Sequence, residues 1–294
     1  MSKRDKAPQW LRVCRQLDDY CCKLIQECMS KWQDKRDVLT AVLLRIYAAY
    51  HTMILLHTFP FEIRSLMRVV IEGTINTLWL MSDDAKFEER ASLFRGAFAI
   101  ECQVLVDRIK RLGHVDLARQ TLTALDAWEE FGGVRFQDVY DNEKLRREKA
   151  GLPPLDRDRT NWSGIGIIDR VKAIKKSKLS KCVDEVVDER VLIQYAVASS
   201  YLHASARSCK EFNLTGKAGG PIATINDAAR RSDYIGDLLY SARWLWTVCS
   251  CINQYYDVGD SIVLQTVSSS ISTTVMSTRH RFFDYLKEEY GIDI

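Results

Sequence analysis

Apolar residues recur at three- and four-residue intervals along nearly the whole chain, the spacing of one helical face. No stretch keeps the two-residue alternation of a half-buried strand. The first such segment, 8–32, places Leu11, Cys14, Leu17, Cys21, Leu24, Ile25 and Cys28 on one side. The second, 35–58, repeats the pattern with Val38, Leu39, Val42, Leu43, Ile46, Ala49 and Tyr50, and Pro60 ends it. Pro60 also suits the first turn of the third segment, 61–81. That segment is apolar around most of its circumference, which predicts a central, buried helix.

Further along, Asp83 or Asp84 is placed to cap a helix that Gly113 stops near Leu112. A helix over 115–131 follows, ending at Gly132-Gly133. The next, over 136–150, carries the run NEKLRREK and reads as an exposed, charged helix. Residues 151–166 combine prolines, glycines and alternating Asp and Arg, the composition of a connecting or functional loop. A short basic helix over 167–177, a helix over 182–212 and a glycine-rich loop over 213–226 come next. Asn226 or Asp227 caps a long aromatic-rich helix to about Asp257, and Gly259 permits a break before the last segment, to Tyr290. The SSSISTT run at its centre is β-branched and serine-rich, so the helical signal is weakest there. The pattern specifies an all-α bundle of about nine to ten helices. We expect a single helical domain over 1–294, or two lobes joined by the 151–166 loop.

Composition narrows the class. Of 294 residues, 47% are hydrophobic and 28% charged, and 42 basic against 39 acidic residues leave a net charge of +3. That is an ordinary globular balance, without the basic excess of a general nucleic-acid binder. The nine cysteines form no Cys-x-x-Cys pair, and several fall on apolar helical faces. They read as small buried hydrophobes of a reducing compartment, with no structural metal and no cofactor. Arg45, His51, Arg64, Arg68 and Glu72 interrupt the most apolar windows, and the charged start MSKRDKAPQW lacks a leader's apolar core. The expectation is a cytoplasmic protein with no membrane partner.

Two polar files stand out against this background. In QYAVASSYLHASAR, Tyr195, Ser199, His203 and Arg207 follow one another at four-residue steps, so a helix stacks phenol, hydroxyl, imidazole and guanidinium on one face. An imidazole is the natural acid or base near neutrality, and an arginine binds phosphate or carboxylate. Ser199 lacks the glycines of a nucleophile elbow. In the third helix, Arg68, Glu72 and Asn76 make a second file on a segment too apolar to face water freely. Ionised groups there must pair or line a cavity, so a register-fixing ion pair and a pocket floor are both open readings. Arg95 of the following helix is a candidate neighbour.

These residues carry a resemblance. RSLMRVVIEGTINTLWL resembles the Arg-x3-Glu helix of an uncharacterised all-helical bacterial and archaeal family. NWSGIGIIDRV is similar to its Trp-x-Gly segment, and QYAVASSYLHAS to its Tyr-x3-Ser-x3-His helix. The matches run from about Ile63 to Ser208. The resemblance implies a helical fold, proximity to microbial defence or toxin genes, and site positions at Arg68, Glu72, Trp162, Tyr195, Ser199 and His203. It implies no established reaction. The Arg-x4-6-His pattern of HEPN ribonucleases is met in bare spacing by Arg45 with His51 and by Arg108 with His114. Both lack the polar residue that usually follows the arginine, and Gly113 breaks the second.

The expected function is an effector or toxin of a defence or toxin–antitoxin system, cleaving RNA or a nucleotide without a metal. His203, Arg68, Glu72, Tyr195 and Arg207 form its catalytic set, and Ser199, Trp162 and Arg95 contact substrate. The alternative is a non-catalytic ligand-sensing or protein-interaction module built around a buried polar cluster. Trp244, Trp246, Tyr255 and Tyr256 read as core or as a subunit interface, and a partner protein of the same system and a homo-oligomer complete the expectations. Gly216–Gly220 lacks the strand and Lys-Ser/Thr of a phosphate loop, and the basic run Arg170–Lys181 reads as a solvated face.

Overall fold

The computed structural model describes residues 8–31, 37–57, 60–127, 135–151, 165–183, 195, 198–199 and 227–274. Among the described residues every regular element is helical and there is no strand, so the protein is all-α with many helices. The helices are α1 (Gln9–Lys31), α2 (Asp37–Leu55), α3 (Pro60–Met81), α4 (Phe87–Arg111), α5 (Val115–Asp126), α6 (Phe136–Lys149), α7 (Ile167–Lys175), α8 (Ser180–Val183) and α9 (Asp227–Tyr256). A further helix, α10, covers 261–274. The chain divides into two compact units, residues 1–82 with 171–294, and residues 83–170.

In the first unit α3 packs against α2 and α9, and α1 packs against α2 and α9. All seven apolar positions named in the first segment are buried in α1, and all seven of the second are buried in α2. Each such Leu, Ile or Val contributes about 1.5–3 kcal/mol by leaving water. Gly73 brings α3 close to α2: a Cβ there would stand 2.5 Å from Ile46 Cγ1. From Gly73 to Met81 every residue of the third segment is buried, as expected of a central helix. Val38–Leu55 is long and apolar enough to cross a membrane by length and composition, and 56% of it is buried inside the fold. A packed core helix meets the same criterion.

The turn from α9 to α10 is built by backbone geometry. Asp257 takes φ 51° and Gly259 φ 99°. The Asn253 amide donates to the carbonyls of Val258 (3.2 Å) and Gly259 (2.9 Å). Asp260 then caps α10, its Oδ1 accepting from the N–H groups of Ile262 and Val263. The serine-rich run is helical after all. Its hydroxyls bond back one turn (Ser269 to Gln265 O, Ser270 to Thr266 O, Thr273 to Ser269 O), while Leu264, Val267, Ile271 and Thr274 bury one face. Packing overrides the weak propensity. Trp246 Nε1 donates to Leu264 O at 3.0 Å and ties α10 to α9.

In the second unit α4 packs on α5 and α6 around Ala99, Val106, Ala118, Leu125 and Phe136. Asp83 caps a short 3-10 turn, Asp84–Lys86, that precedes α4. Gly113, at φ 84°, ends α4, with its own N–H on Lys110 O and the His114 N–H on Ile109 O. The charged α6 departs from expectation, because one side of it is inside. Phe136, Glu143 and Arg147 are buried. Arg146 grips both Glu143 oxygens at 2.8 and 2.6 Å, and Gly96 of α4 leaves the space that this carboxylate occupies. Charge pattern alone misses a carboxylate whose partner sits three residues away on its own helix.

Candidate functional site

The site begins with α3. Arg64, Arg68, Glu72 and Asn76 follow at four-residue steps along the edge of a helix whose other faces are filled by apolar packing. Arg64 Nε donates to Asp237 Oδ2 at 2.8 Å, joining α3 to α9 with both side chains largely buried. One turn on, Arg68 Nε lies 3.6 Å from Glu72 Oε2, with side-chain exposures of 20% and 39%. Those exposures place the pair at an accessible edge and not in the sealed core. Asn76, one turn further, is buried.

Tyr195 meets this file from a distant part of the chain. It is helical and half-buried, its hydroxyl donates to Glu72 Oε2 at 3.5 Å, and its ring stands 5.3 Å from the Arg68 guanidinium carbon. Cation–π attraction at such a half-open site is worth about 0.5–1 kcal/mol. An Arg–Glu pair at i and i+4 adds only a few tenths, and the arginine-first order is the weaker one. The hydrogen bond is near the outer limit of length. The cluster therefore contributes little to stability while fixing a phenol, a carboxylate and a guanidinium around one point. Both contacts fall on Oε2, and among the described residues Glu72 Oε1 accepts no hydrogen bond.

The structure thus brings together three expected residues, Arg68, Glu72 and Tyr195. Ser199, four residues after Tyr195 in the sequence, is half-buried and helical. Arg95 is exposed on α4, in the other compact unit. His203, Arg207 and Trp162 lie outside the described residues, as does the Gly216–Gly220 segment. Asp237 was missed by sequence reasoning. It sits 173 positions from Arg64, and nothing local marks it as that residue's partner.

The HEPN-type spacings place their residues apart in kind. Arg45 is exposed and His51 is half-buried against Asp18, whereas Arg108 and His114 are both exposed. Among the described residues no group of three or more His, Cys, Asp or Glu is arranged to hold a metal ion. Cys14, Cys21, Cys28, Cys249 and Cys251 are buried free thiols, and Cys22 and Cys102 are half-buried. Burial pushes Cys14 and Cys28 up to about 12, so both are neutral packing groups at neutral pH. Trp244 is core, and Tyr255 donates to Lys178 O at 2.7 Å. Comparison with family models, curated proteins and solved structures finds no match to the chain.

Proposed function

We propose that this protein is an effector or toxin of a microbial defence or toxin–antitoxin system that cleaves RNA or a nucleotide without a metal. The observation that carries the reading is the meeting of Tyr195 with the Arg68–Glu72 pair at a partly open edge of α3. A guanidinium there binds a phosphate oxygen and stabilises charge that develops on it. Glu72 orients Arg68 and the Tyr195 hydroxyl. His203 stands eight residues beyond Tyr195 in the sequence and supplies the general acid/base, with Arg207 as a second phosphate contact and Ser199 and Trp162 touching the substrate. In this mechanism the imidazole itself moves the proton, and the guanidinium takes up the charge on the phosphate, so no step calls on a metal.

One observation favours a second reading. Arg68, Glu72 and Tyr195 engage one another, which is what a polar clasp between helices does in a non-catalytic ligand-sensing or protein-interaction module. His203→Ala separates the two. In cells induced to express the chain, the first reading expects loss of growth arrest and of RNA fragmentation with an unchanged unfolding midpoint. Retained arrest, or a collapse in stability, favours the clasp.

A further inference from the structure

A second titratable pair lies between α1 and α2, away from Arg68. Asp18 is 9% exposed and receives His51 Nδ1 on both oxygens, at 3.1 and 2.9 Å. Burial pushes the Asp18 carboxyl up, and the His51 hydrogen bond pulls it back. An ionised carboxylate only accepts, so Nδ1 carries the proton and the lone pair is left on Nε2. The His51 side chain is 42% exposed, and among the described residues it makes no other hydrogen bond. This is the arrangement that makes an imidazole effective: a buried carboxylate fixes the tautomer and balances positive charge as it forms, on a ring that stays partly open to solvent.

The surroundings choose the substrate. Tyr47, one turn before His51, presents its ring 5.7 Å away at 33°. Asp19, next in the chain, adds its negative charge to that of Asp18. A neutral electrophile with an aromatic leaving group fits the imidazole and the tyrosine ledge together.

We propose that Asp18 and His51 form an acyl-transfer centre that hydrolyses aryl esters. His51 Nε2 attacks the ester carbonyl, the carbon–oxygen bond breaks, and the aryloxide leaves with its electron pair. The acyl-imidazolium is compensated by Asp18. Water then adds to the acyl carbon, the imidazole departs neutral, and the one proton released passes through solvent to the aryloxide, giving a carboxylic acid and a phenol. His51 is the nucleophile, and Asp18 is a positioning residue.

The test uses the full chain and p-nitrophenyl acetate, with release of p-nitrophenolate followed by absorbance and acetylation located by peptide mass spectrometry. His114, an exposed histidine, serves as the internal control. Acetylation at His51 is expected to exceed that at His114 by at least about tenfold, a threshold set well under the about 10²–10⁴-fold that a positioned acid–base group contributes. His51→Gln removes the excess nitrophenolate release. Asp18→Asn lowers acetylation at His51 but not at His114, and Asp18→Glu restores part of it, which a purely structural Asp18 would not do. Equal acetylation of the two histidines, or a His51 rate indifferent to Asp18→Asn in a folded variant, overturns the proposal.

Discussion

Gly96 is where a single missing atom decides the packing of the second unit. In the middle of a helix, glycine costs about 1 kcal/mol relative to alanine, so propensity alone favours Gly96→Ala. The new Cβ, however, would run into the Glu143 carboxylate, which Arg146 holds by two hydrogen bonds and cannot release cheaply. We expect Gly96→Ala to destabilise by about 1–3 kcal/mol, read as a lower urea midpoint. Restored or increased stability in the double variant Gly96→Ala/Glu143→Ala would locate the cost at this contact. Nothing in the sequence announced it. The run around Glu143 is highly charged, and its buried side emerges only when α4 and α6 are placed together.

At the scale of elements, α3 carries both structure and site. Its apolar faces were legible because burial on several sides leaves little polar sequence to misread, and the α1 and α2 stripes were legible for the same reason. The Arg68–Glu72 file was legible as an exception within that pattern, and Tyr195 as the head of a ladder. Their meeting was not, since 123 positions separate Tyr195 from Glu72 and helical spacing says nothing about which helices touch. The Arg64–Asp237 bridge between α3 and α9 makes the element-scale prediction. Asp237→Ala leaves a largely buried guanidinium without this partner, and we expect a loss of about 2 kcal/mol. Arg64→Met combined with Asp237→Leu should recover most of it, because an apolar pair of similar volume removes the desolvation cost. Double-mutant-cycle denaturation measures the coupling, and additive single effects would refute it.

Over the whole molecule, the buried thiols tie stability to alkaline pH. Cys14 and Cys28 stand near 9.0 when solvated and are pushed up to about 12 by burial. A group raised on folding contributes its full share of stability below its unfolded value and loses it as pH climbs toward the folded one. The urea midpoint should therefore fall between about pH 9 and 12, and Cys14→Val should flatten that fall. A midpoint with the same pH slope in the variant would contradict the assignment. Native alkylation should correspondingly reach Cys22 and Cys102 well before Cys14, Cys21, Cys28, Cys249 and Cys251.

The proposed site is tested most directly by incubating purified protein with RNA in excess EDTA, comparing wild type with Arg68→Lys at matched folded concentration. A lysine keeps the charge but loses the planar fork and the stack on Tyr195. The wild type is expected to cleave in EDTA, with a fall of about 10²-fold or more in Arg68→Lys. Intact RNA with the wild type, or equal cleavage by the two proteins, would contradict it.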